Sequence, residues 1–123
     1  MQAIWHLRFL RGVLPDCRTV VLRTRSKESA NAFVEKMKNS PYARDREWTI
    51  IPEDGAENTL KQCGLIHTVT PARAPVIFGE DVDFDQDVHI TAIGSDSPGK
   101  KELTDAVVDH ASLLLCDSKK QVC

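Results

Sequence analysis

No apolar run in this sequence approaches the ~20 residues that cross a bilayer. The first residues carry Arg and His in an amphipathic helical pattern, not a charged-then-apolar leader. Basic residues are balanced by acid: 16 Lys and Arg stand against 18 Asp and Glu, with no basic block. That excludes the electrostatic footprint expected for nucleic acid or an acidic membrane surface. The four cysteines, Cys17, Cys63, Cys116 and Cys123, include no Cys-x-x-Cys pair, which favours reduced, structural thiols. Together these shortages predict a soluble, cytoplasmic chain. Its 123 residues, 41% of them hydrophobic, predict one domain over residues 1–123.

Catalytic and metal signatures are equally scarce. His6, His67, His89 and His110 are too scattered for metal-ligand spacing, so no metal is expected. There is no Gly-x-Ser-x-Gly elbow for a nucleophilic serine. The acidic run Glu80, Asp81, Asp83, Asp85 and Asp87 resembles a calcium loop only superficially. With Asp81 at position 1 of an EF-hand, Gln86 falls at position 6 where Gly is needed, and Ala92 at position 12 where Glu is needed. A solvated loop is the expectation.

What is present alternates. Ala3, Leu7, Leu10 and Leu14 put an apolar stripe on a helix from Gln2 to about Leu14. Thr19–Leu22 reads as a β-branched strand, and Ala30, Phe33, Val34 and Met37 give the helical period over Lys27 to Asn39, with Ser26 as N-cap. Trp48–Ile51, Leu65–Thr70, Val88–Ile93 and Ser112–Cys116 read as further strands, and Gly55–Gln62 and Lys101–His110 as further helices. Strand alternating with helix predicts an α/β protein: a Rossmann-like parallel sheet with flanking helices.

The stretch from Val88 to Leu103 carries the most chemistry. An apolar strand runs into Gly94-Ser95-Asp96-Ser97-Pro98-Gly99-Lys100-Lys101-Glu102-Leu103, placing Asp96 just past a strand's carboxyl end, where open α/β sheets bind ligands. On the residues alone, Asp96 is a candidate acid/base or the N-cap of the helix that follows.

This segment resembles the Gly-x-Asp-x-Pro-Gly-Lys-x-Glu-Leu pattern of the ornithine cyclodeaminase and μ-crystallin family. Gln2-Ala3, Arg25-Ser26, Thr68-Val69-Thr70-Pro71 and Cys116-Asp117-Ser118 match in register on either side. The resemblance implies a cofactor-domain portion of an NAD(P)-dependent protein whose complete relatives convert ornithine to proline with release of ammonia, or reduce cyclic ketimines. It implies an amino-acid or cyclic imine substrate and gives Asp96 the acid/base role near the substrate amine. Gln2 would lie near the pyrophosphate. Arg25 and Ser26 would sit at the adenosine ribose, where Arg and the absence of a carboxylate lean toward NADP. Thr68 and Thr70 would line the nicotinamide side, with Asp117 and Ser118 in the equivalent place after the last strand.

One family feature is missing: the first strand and its Gly-x-Gly turn, whose amides hold the pyrophosphate. In the strand order 3-2-1-4-5-6 its loss leaves a gap between the Thr19 and Leu65 strands. The expectation is therefore a truncated domain in which NAD(P) is either kept or lost. It would close the gap by pairing those strands, borrow a strand from a second copy or a full-length subunit, or be unstable. The alternative to an enzyme fragment is a non-catalytic dimerising or structural remnant.

Overall fold

The computed structural model describes residues 2–41, 49–53 and 59–118. They form an α/β chain: α1 (Gln2–Val13), β1 (Thr19–Leu22), α2 (Lys27–Asn39), β2 (Thr49–Pro52), β3 (Leu65–Thr68), β4 (His89–Ala92) and α3 (Asp105–Asp109), with short 3-10 turns at Thr59–Gln62 and Gly79–Asp81. The chain divides into two compact units, one ending at Thr59 and the other beginning at Leu60.

In the first unit, β1 and β2 pair in parallel, Thr19 opposite Thr49 and Leu22 opposite Pro52. The connection between them is α2, as a parallel pair requires. Ser26, its own backbone still extended, caps α2, its Oγ accepting from Ser29 N at 3.2 Å. Ala30 and Met37, seven residues apart and thus on one face, are the buried side chains of this helix. By contrast α1 buries none, and Trp5, Phe9 and Val13 leave an apolar stripe in the open.

In the second unit, β3 and β4 pair in parallel, Leu65 opposite His89 and Thr68 opposite Ala92. Ile66, Ile77, Val82 and Val107 form its core with Leu60. Here the crossover between the strands carries no α-helix among the described residues. It is shaped instead by a 3-10 turn in which Asp81 Oδ2 accepts from Phe78 N at 2.8 Å.

Several expectations need correction. Among the described residues the parallel strands form two two-stranded sheets, β1 with β2 and β3 with β4, in place of one continuous sheet. Asp81 is buried rather than solvated, because its carboxylate serves the backbone turn. The helix expected over Lys101–His110 starts only at Asp105. Leu103 is drawn into a parallel bridge with Ile77, and Thr104 N donates to Ile77 O at 3.1 Å, so the preceding residues are extended.

Ser112–Cys116 is not a strand: it has no ladder partner among the described residues, and Leu113, Leu114 and Leu115 are exposed. Of the helix expected over Gly55–Gln62, Thr59–Gln62 is a 3-10 turn; residues 55–58, like Trp48 and Cys123, lie outside the described residues.

Candidate functional site

β4 ends at Ala92, and the chain then makes a loop pinned at both ends. Gly94 N donates to Glu102 Oε2 at 2.7 Å, joining the first and last residues of the Gly94–Glu102 segment. Within it, Ser97-Pro98-Gly99-Lys100 turns back on itself, with Lys100 N donating to Ser97 O at 3.2 Å and Gly99 at φ 81°. Proline at the second position and a positive-φ glycine at the third are what a type II turn demands. Lys101 N then reaches Ala72 O at 3.2 Å, tying the return of the loop to the segment after β3.

Asp96 lies on the outside of this loop. Its side chain is 68% exposed, and Lys100 Nζ donates to its Oδ1. That hydrogen bond, reinforced by the ammonium charge, holds the Asp96 carboxyl below its ordinary range. Asp96 does not cap the next helix, whose N-cap is Thr104. Of the two readings its residue type allowed, the cap is removed. Loop placement leaves an accessible, ionised carboxylate past a strand's carboxyl end.

The residue that organises the loop was not singled out as a site residue in the sequence. Glu102 is 1% exposed, and its carboxylate accepts four hydrogen bonds: from Thr68 Oγ1 at 2.8 Å, Thr70 N at 2.7 Å, Thr70 Oγ1 at 2.8 Å and Gly94 N at 2.7 Å. A buried carboxylate is tolerable only when so satisfied. Its backbone carbonyl also accepts from Val76 N and Ile77 N. Glu102 therefore joins the end of β3, the end of β4 and the Ile77 segment. Its place in the Lys-Lys-Glu-Leu run was visible, but its destination is a tertiary fact.

This network changes the reading of Thr68 and Thr70. Each hydroxyl has one proton, and both protons go to Glu102. Toward any further partner they offer acceptor lone pairs only. Thr68 is moreover buried.

Gly94 has no room for a side chain. A Cβ built there meets Thr70 O, Thr70 N and Glu102 Oε1. The close passage of the β4 exit against the β3 exit is what requires glycine here.

In the first unit, the ends of β1 and β2 are joined by a different device. Glu53, just after β2, has a 2% exposed side chain and takes both Arg23 Nε and Arg23 Nη2, the latter at 2.9 Å. Arg25 follows on the surface, and Thr24 Oγ1 donates to Ser26 O at 2.7 Å ahead of α2. The carboxylate beside these residues, Glu53, is thus taken by Arg23, while Arg25 is exposed.

Gln2 is exposed at the first turn of α1. Asp117 is exposed and Ser118 half-buried, both following an irregular segment and not the strand expected to present them. Thus Thr68, Thr70 and the Asp96 loop are brought together through Glu102, while Gln2, Arg25 and Ser26 belong to the first unit. Among the described residues, no three His, Cys, Asp or Glu are grouped to hold a metal, and no helix is long and apolar enough to cross a membrane.

Comparison with known proteins adds three findings. The model of the ornithine cyclodeaminase/mu-crystallin family matches residues 1–122. An alanine dehydrogenase of Archaeoglobus fulgidus is 32% identical over 116 residues, covering 94% of this chain and 33% of the relative. An uncharacterized cyclodeaminase of Sinorhizobium fredii is 30% identical over 121 residues, covering 98% of this chain and 34% of the relative. The chain thus spans about a third of the length of the curated relatives it matches. No solved structure matches it significantly.

Proposed function

We propose, from the premise that this chain belongs to the ornithine cyclodeaminase/mu-crystallin family, that it is the cofactor-domain portion of an NAD(P)-dependent, cyclodeaminase-like protein acting on an amino acid or cyclic imine. The observation that carries this reading is Asp96: an accessible carboxylate on a loop of fixed ends after a parallel strand, kept ionised by Lys100. A bound nicotinamide would supply hydride acceptance and return at the carbon bearing the amine, with Asp96 beside that amine.

The residues of the chain have separate tasks in that reading. Asp96 takes a proton from the substrate amine and gives it back as ammonia leaves or an imine is reduced; its ionised state suits the accepting step. Lys100 holds the carboxylate in that state. Arg25 and Ser26 bind the adenosine ribose, with the Arg25 guanidinium reading a 2′-phosphate, so that NADP is preferred over NAD. Thr68 and Thr70 face the nicotinamide side as acceptors. Gln2 serves the pyrophosphate, and Asp117 and Ser118 the ribose or carboxamide. Ornithine, giving proline and ammonia, is the reference substrate. The setting is the cytoplasm.

A second reading has its own observation. Among the described residues each sheet has two strands, and Leu113–Leu115 is exposed. Open strand edges and an exposed apolar segment suit a non-catalytic chain that pairs with a second copy or a full-length subunit. Titration of the purified chain with NADPH and NADH, followed by nicotinamide fluorescence together with particle mass, separates the two. Saturable binding with NADPH preferred supports the enzymatic reading. A folded dimer that binds neither nucleotide replaces it with the second.

A further inference from the structure

We infer that Glu102 is the positioning residue of the Asp96 loop, fixing the direction in which the Asp96–Lys100 pair is presented. The inference rests on the acid/base role proposed for Asp96, but its geometry stands without it. The Gly94–Glu102 segment is closed by the 2.7 Å bond from Gly94 N to Glu102 Oε2, and both partners are immobilised from outside. Gly94 is wedged against Thr70, and Glu102 is held by Thr68 Oγ1, Thr70 N and Thr70 Oγ1. Asp96 and Lys100 lie between those fixed ends, bridged to each other. Their placement is therefore set by a buried carboxylate that never meets solvent.

The chemistry requires an acid at this position. Four donors converge on two oxygens, two on each. An amide of the same shape supplies one oxygen for two of them and turns an NH2 group toward the other two. Glu102→Gln thus keeps volume and removes the closure. A group acting through another is distinguished from one that merely stabilises by what happens at the target, so the target must be read directly.

The test follows the carboxyl titrations of Asp96 and Glu28 by carbon-detected NMR in the chain and in Glu102→Gln, without nucleotide. Glu28 in α2, held low by its own backbone amide and by the N-cap Ser26, is the internal control. The expected result is that the Asp96 midpoint rises toward the ordinary carboxylate value while that of Glu28 stays in place. Amides between Ser95 and Lys101 then exchange about tenfold faster.

An unchanged Asp96 titration in a folded variant, whatever happens to the Thr70 and Gly94 amides, overturns the inference and leaves Glu102 a strand-end staple. Should Glu102→Gln not fold, Thr68→Val decides. It removes one of the two donors to Oε2; a smaller rise at Asp96 supports positioning, and none overturns it. NADPH titration of the unaltered chain is scored apart. Glu102-dependent Asp96 titration in a chain that binds no nucleotide retains the positioning role and overturns only the cofactor reading.

Discussion

The two units solve one problem in opposite ways. Each ends a four-residue parallel pair on the same side and has to hold the two exits together. In the first, Arg23 from one exit grips Glu53 from the other, and the charges cancel. In the second, the clamp arrives from outside the pair: Glu102 brings a charge that no cation meets in the network, and neutral donors of the exits surround it. An ion pair fixes two side chains. A carboxylate fed by backbone amides fixes the backbone itself, which is the better support for a loop that must present a reacting group. The crossovers differ in the same sense: α2 makes the first regular, whereas the second is held by turns and side chains.

Gly94→Ala should give the largest effect, because the added Cβ collides with the backbone of Thr70 as well as the Glu102 carboxylate. A loss of about 3 kcal/mol or more is expected, read as collapse of amide protection at Ile66 and Ile90. Equal loss of protection at Val20 and Ile50 would erase the contrast between the units. Arg23→Ala comes next. It leaves the buried Glu53 carboxylate without its guanidinium, and since Arg23 is itself partly exposed about 2 kcal/mol is expected by urea titration. Arg23→Lys should recover less than half, having one ammonium where a fork is needed.

Ser26→Ala should cost about 1 kcal/mol through loss of the cap, seen as fraying of the first turn of α2. The smallest effect concerns pH. The carboxyl of Asp96 is lowered in the folded chain, so its contribution is present above the ordinary carboxylate value and fades as pH falls through the lowered one. Asp96→Asn should remove that acid limb while leaving neutral stability nearly unchanged, as suits an exposed pair. An acid limb that persists unaltered in Asp96→Asn would show that Asp96 does not carry it and would point to Glu28, another carboxyl held low.

Periodicity made the first unit legible. The strand at Thr19–Leu22, the helix at Lys27–Asn39 and the Ser26 cap are local features, and their boundaries follow from local chemistry. The second unit was less so. Helical spacing after Lys101 could not reveal that Leu103 pairs with Ile77, nor could an apolar run at Ser112–Cys116 reveal the lack of a partner edge. At the site, Asp96 was readable from its place after a strand and from the Asp-x-Pro-Gly-Lys pattern. Glu102 was not, because a glutamate one residue before a leucine gives no sign that two hydroxyls and an amide from more than thirty residues upstream will converge on it.

A loop closed by a side chain behaves as a ring whose size is a weak variable. The entropy of closure grows only with the logarithm of length, so doubling such a loop costs about 0.6 kcal/mol, less than the loss of either anchor. Insertions and exchanges between Ser95 and Lys101, the positive-φ Gly99 apart, should be absorbed with the fold intact, whereas Gly94 and Glu102 admit almost no change. The closure thus separates what the chain can vary from what it must keep, and leaves the Asp96 neighbourhood free to acquire a different substrate preference without a new scaffold.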